Sequence, residues 1–83
     1  MNPLEQDIID TIAAETGVDS QELVLAVSFY DVGIDSLSAL EVLAALEKKY
    51  GIALDERELR DTNTIGTVVN IIAAKIKKKG VRT

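Results

Sequence analysis

The residues best equipped for chemistry stand together in Asp31-Val32-Gly33-Ile34-Asp35-Ser36-Leu37, where a glycine and a carboxylate precede a serine hydroxyl. Nucleophilic catalysis needs a base to take the hydroxyl proton, and the chain has no histidine and no lysine close to Ser36 in sequence. A calcium loop needs alternating oxygen ligands, a turn glycine at its sixth position and a closing glutamate at its twelfth. Counted from Asp31, Gly33 offers no side-chain ligand, Ser36 stands where the turn glycine belongs and Val42 replaces the glutamate. The absence of cysteine removes thiolate metal sites and disulfides. No catalytic and no metal-binding residue is therefore assigned. A passive chemistry is left, in which another enzyme modifies the serine and this chain carries what is attached. The plainest structural use of Asp35-Ser36-Leu37 is to cap a helix. The two uses are compatible.

The element that must present Ser36 is a helix from about Ser36 to Tyr50, rich in Ala, Leu and Glu and ended by Gly51. It has more apolar positions than one stripe needs. Val42, Leu43, Leu46 and Tyr50 share a core face at helical spacing, which leaves Leu37, Leu40 and Ala44 as a second row turned toward solvent. Exposed leucines on a short acidic helix suit docking. A core wrapping further round the helix would account for the same spacing.

The other elements are also helical. Asn2 caps a first helix with Pro3 at its first position and Glu5 one turn in. Leu4, Ile8, Ile9 and Ile12 form its stripe, and Gly17 ends it. A long connection runs from Val18 to Asp35, with a helical turn expected near Gln21 to Val24 and with Leu23, Val24, Leu25, Val27 and Phe29 as apolar anchors. Asp55 caps a short helix over Glu56 to Asp61, with Leu59 inward and Arg57 and Arg60 outward. Thr64 caps the last helix, whose Ile65, Val68, Val69, Ile72 and Ile76 keep one face. Thr67 to Ile72 has strand propensity, but the spacing and the Ala73-Ala74-Lys75 continuation decide for helix. Lys75, Lys77, Lys78 and Lys79 suit the negative end of its dipole, and Gly80 is expected to end it. The fold class is thus all-α: a small four-helix bundle of three longer helices and one short one. It forms one domain over residues 1–83, with a core over about residues 3–76 and a basic tail over 77–83.

Charge divides the chain. All nine Lys and Arg residues lie at or beyond Lys48, whereas only Asp55, Glu56, Glu58 and Asp61 of the 14 carboxylates do, and the net charge is −5. An acidic Ser36 helix disfavours nucleic acid and favours basic protein surfaces. No apolar run approaches the roughly 20 residues that span a bilayer. No signal or transit peptide is apparent, and a cytoplasmic monomer without membrane insertion is expected.

The run Asp31-Val32-Gly33-Ile34-Asp35-Ser36-Leu37, followed by Glu41 and by Leu46-Glu47-Lys48-Lys49-Tyr50-Gly51-Ile52, resembles the acyl carrier proteins. Ala26-Val27-Ser28-Phe29 and Arg60-Asp61-Thr62-Asn63-Thr64-Ile65-Gly66-Thr67-Val68 extend the resemblance over nearly the whole chain. It implies that a phosphopantetheinyl transferase moves 4′-phosphopantetheine from coenzyme A onto the Ser36 hydroxyl, and that the arm's thiol carries acyl groups as thioesters. It also implies that Asp35 helps position the transferase's metal-bound coenzyme A. Leu37, Leu40, Glu41, Ala44 and Glu47 would then meet the transferase and acyl-processing partners of ketosynthase, acyltransferase or acyl-ligase type.

Two departures bear on the pathway. Carriers of this family that serve fatty-acid synthesis usually continue with an acidic residue after Ser-Leu and keep the end of this helix acidic. Here Ser38, Lys48 and Lys49 stand instead. The resemblance then implies a specialised carrier in a modified fatty-acid or polyketide-like pathway. A discrete aminoacyl or peptidyl carrier is one alternative, and an unmodified helical adaptor binding through Leu37, Leu40 and Glu41 is another.

Overall fold

The computed structural model describes residues 2–59 and 63–81. Among these residues are three α-helices, α1 (Pro3–Thr16), α2 (Ser36–Tyr50) and α3 (Ile65–Val81), with 3₁₀ turns at Ser20–Glu22, Tyr30–Val32 and Glu56–Leu59. The described residues are all-helical and hold no strand, only an isolated antiparallel bridge between Ser28 and Thr64. The short fourth helix expected over Glu56 to Asp61 is a 3₁₀ turn as far as Leu59; Arg60 and Asp61 lie outside the described residues. Its geometry follows from the Asp55 carboxylate, which accepts the Arg57 N–H at 2.8 Å, a two-residue span that tightens the turn.

The helix ends follow their capping residues. The Asn2 side chain accepts the Glu5 N–H at 2.8 Å, satisfying one donor the helix cannot reach itself, and its amide donates to the Glu5 carboxylate at 3.1 Å. Gly17 and Gly51 close α1 and α2 in the left-handed conformation. Thr64 Oγ1 accepts the Thr67 N–H at 3.1 Å at the head of α3. Gly80 does not end α3, which runs on to Val81. Lysines of this stretch are tied down instead. Lys79 donates to the Gly51 carbonyl at 2.9 Å, and Lys75 donates to the Ala53 carbonyl at 2.9 Å and pairs with Glu58 at 3.1 Å. They take up carbonyl oxygens at and just beyond the C-terminus of α2, where cations are favoured.

One apolar core joins the three helices. Ile8, Ile9 and Ile12 meet Ala39, Val42, Leu43 and Leu46 from α2 and Ile65, Val68, Val69 and Ile72 from α3. Burying each Val, Ile or Leu side chain contributes about 1.5–3 kcal/mol, so the stripes read from spacing are also the main cohesive force. Leu23, Phe29 and Ile34 pin the first connection to this core. Val24 and Leu25 do not anchor it; both are exposed. Their segment is held through its backbone, because the carbonyls of Leu25 and Val27 accept the N–H groups of Gly66 and Ile65 at 2.9 and 2.8 Å. These are first-turn donors of α3, so the connection caps that helix and leaves two side chains in solvent.

A polar cluster locks α1 to α2. Lys49 reaches Asp7 at 2.9 Å and Thr11 at 3.0 Å, and the half-buried Tyr50 hydroxyl donates to the other Asp7 oxygen. The Tyr50 hydroxyl and then the Lys49 ammonium hold the Asp7 carboxyl below the usual carboxylate range. Burial, and then the Asp7 carboxylate, push the Tyr50 phenol upward. Lys49 is thereby committed to the fold.

Candidate functional site

Ser36 is the first residue of α2, and Asp35 is its N-cap. The Asp35 backbone is extended, with φ −82° and ψ 177°, so the chain arrives across the helix axis and turns into it. Its carboxylate accepts the Ser38 N–H at 2.8 Å, and the Ala39 N–H reaches its carbonyl at 2.9 Å. The Ser38 N–H, and then the Ser38 hydroxyl, hold the Asp35 carboxyl below its ordinary range. The Asp35 carboxylate thus caps the first helical turn, and Ser36 is exposed beside it.

The approach to Ser36 is built by a short knot. Phe29 and Ile34 are buried, and the Ile34 N–H donates to the Phe29 carbonyl at 2.9 Å. Between them the 3₁₀ turn ends at Gly33, with φ 79° and ψ 19°, a left-handed conformation that side chains disfavour. Ser28 and Asp31 tie the turn reciprocally: the Ser28 N–H donates to the Asp31 carboxylate at 2.9 Å, and the Asp31 N–H donates to Ser28 Oγ at 3.1 Å. Tyr30, Gly33, Ile34, Asp35 and Ser36 surround a shallow depression of about 300 Å³. The sequence reading of the site passed over Tyr30. Its signal was an aromatic residue in a polar, glycine-ended turn, where no helical stripe demands one.

Down α2, the structure brings most of the expected face together. Leu37 is 70 % exposed and Leu40 42 %, and Glu41 and Ala44 are exposed as well. Helical spacing adds exposed Lys48 four residues beyond Ala44, so the row ends in a cation about 18 Å along the axis from Ser36. Glu47 stands apart from that row. It is half-buried and its carboxylate accepts the Leu54 N–H at 2.8 Å, holding the segment that leaves α2.

This arrangement suits a group attached through phosphate. An anion on Ser36 lies at the positive end of the α2 dipole, close to first-turn N–H groups without helical partners. The exposed hydroxyl is open to an enzyme, and the depression beside it leaves room for an attached chain. No helix of the described residues is long and apolar enough to cross a membrane.

Comparison with known proteins gives the same direction. The family described as phosphopantetheine attachment site matches residues 6–72. The acyl carrier protein of Clostridium acetobutylicum is 36 % identical over 70 residues, 83 % of this chain and 91 % of the relative. That of Tropheryma whipplei is 36 % identical over 72 residues, covering 84 % and 88 %. That of Exiguobacterium sibiricum is 32 % identical over 71 residues, covering 84 % and 90 %. With the family matched over most of the chain and these relatives aligned over most of their own lengths, this chain belongs to the acyl carrier proteins, whose cofactor is 4′-phosphopantetheine.

Proposed function

We propose that Ser36 bears the 4′-phosphopantetheine arm and that the protein passes acyl groups, as thioesters of that arm, between enzymes of fatty-acid or specialised polyketide-type biosynthesis. The observation that carries this reading is an exposed Ser36 at the head of α2, continuous with an exposed row of Leu37, Leu40, Glu41 and Ala44. The transferase supplies the base and metal, so the chain needs neither. It presents a hydroxyl, keeps Asp35 beside it for the docked transferase, and takes no part in later chemistry as a catalyst. When bound, the cofactor supplies the thiol and the reach. Tethering then raises the effective concentration of the acyl group at the active site of a docked enzyme.

Partner choice follows from the α2 face. Leu37 and Leu40 fit an apolar pocket, Glu41 fits a basic rim, and Lys48 adds a charge that opposes basic patches adapted to a wholly acidic carrier. Lys49 drops out of that argument because Asp7 and Thr11 take it up. Ser38 and Lys48 are left to support the specialised role. Loading assays on the modified protein test the reading. Acyl donors with an acyl-ligase or acyltransferase should give a thioester mass, and aminoacyl donors with an adenylating enzyme should not. Aminoacyl loading in preference to acyl loading would assign the chain to peptidyl chemistry instead.

A further inference from the structure

We propose that Tyr30 is a binding residue for the arm: its ring is the wall against which the branched, apolar part of a 4′-phosphopantetheine on Ser36 packs. The inference rests on Ser36 as the attachment point and adds a direction in which the arm leaves it.

Tyr30 is 73 % exposed, more than any other large apolar side chain among the described residues. Its backbone is nonetheless held firmly. Buried Phe29 precedes it and buried Ile34 closes the turn, the Gly33 N–H donates to its carbonyl at 3.1 Å, and the Ser28–Asp31 pair ties the turn from outside. A bulky ring is therefore presented to water from a fixed support, which lowers the ordering cost of whatever packs on it. That ring and Ser36 border the same depression of about 300 Å³. Its floor is open. Apart from its chain neighbours, no heavy atom lies within 4 Å of where a side chain on Gly33 would begin.

The chemistry of the arm matches this shape. Its phosphodiester starts at the serine oxygen, and the next feature along it is a carbon bearing two methyl groups, the only branched apolar part of the chain. Methyl groups suit the face of a phenol ring, and the Tyr30 hydroxyl can donate to the phosphate or to the first amide carbonyl. Asp35 also borders the depression, and its carboxylate accepts the Ser38 N–H at the helix head.

Nuclear magnetic resonance on the isolated, modified protein tests the contact without any partner present. Intact mass first establishes one added group on Ser36. Nuclear Overhauser effects should then link the Tyr30 ring protons to the two arm methyls, and those methyls should resonate upfield of the free cofactor. Tyr30→Phe should keep the upfield shift, and Tyr30→Leu should return the methyls to the free position. The other tyrosine, Tyr50, hydrogen-bonds Asp7 between α1 and α2 and should give no such effect, which makes it an internal control. Its unchanged signals would also report that Tyr30→Leu keeps the fold. A protein modified on Ser36 with methyls at the free position, or with the contact appearing only after a transferase is added, overturns the role of Tyr30. A protein that takes the group elsewhere or not at all overturns the attachment reading itself.

Discussion

Replacing Gly33 with alanine strains the turn that presents Ser36 and disturbs little else. Gly33 sits at φ 79°, in the left-handed region, where an L residue costs about 1–2 kcal/mol. No steric penalty adds to this, because nothing beyond the neighbouring residues stands within 4 Å of the new Cβ. Alanine also stiffens the unfolded chain, which offsets about 0.4–1 kcal/mol. The net loss is about 1 kcal/mol, which lowers Tm by about 4–8 °C in a domain of this size. Gly51→Ala, at φ 63°, should cost about as much, because its Cβ would come 2.5 Å from Lys79 Nζ, the end of a flexible side chain that can swing aside. Thermal unfolding followed by circular dichroism measures both, and Gly33→Asn, which tolerates the left-handed conformation, should recover part of the loss. A Gly33→Ala protein as stable as its parent would mean that the turn is not held left-handed. The juxtaposition of Tyr30 and Ser36 across one depression would then be wrong.

Glu41→Lys should slow transferase action severalfold with Tm unchanged, and added salt should mimic it in the parent; kinetics insensitive to both would remove Glu41 from the docking face. Lys48→Glu should improve use by a ketosynthase adapted to acidic carriers while lowering stability by about 0.3–1 kcal/mol, since it reverses a favourable helix-end charge; unchanged ketosynthase kinetics would reduce Lys48 to helix chemistry. Lys49→Met should leave those kinetics alone and lower Tm, because it strips the ion pair from Asp7. Acid should destabilise the protein in a set window. Asp7 and Asp35 are held below the ordinary range, and the Arg57 guanidinium brings Asp55 down to about 2. The unfolded chain binds more protons than the folded one there, so urea midpoints should be flat between about pH 5 and 9 and fall as pH drops from about 4 toward 2. A midpoint that rises on acidification would contradict these contacts.

Most of the helical frame was legible in the sequence because its determinants are local. Asn2-Pro3, Asp35, Gly51 and Thr64 act within one turn of the ends they mark, and the stripes of α1 and α3 need only regular spacing. The spacing of α2 allowed both an exposed row of Leu37, Leu40 and Ala44 and a core wrapping further round the helix, and only the packed structure leaves the row in solvent. Contacts distant in sequence were not legible either. Lys49 meets Asp7 from 42 residues away, and only the packing of α1 on α2 selects it over Lys48. Val24 and Leu25 looked like anchors because they are apolar, yet the backbone bonds of their segment to Ile65 and Gly66 decide its path. Glu47 read as part of an acidic face, but a backbone N–H seven residues on claims its carboxylate. Gly80 read as a stop, although Lys75 and Lys79 fasten the end of α3 to the segment after α2.

Intact mass of the protein after incubation with coenzyme A and a phosphopantetheinyl transferase tests Ser36 as the attachment site. The parent should gain one phosphopantetheinyl group, fragmentation should locate it on Ser36, and Ser20, Ser28 and Ser38 should stay bare. Ser36→Ala should gain nothing while melting at nearly the parent's temperature, since the exposed Ser36 side chain supports no core contact. A Ser36→Ala protein that still takes up the group, or a folded parent that takes up none, would rule out Ser36 as the carrier residue.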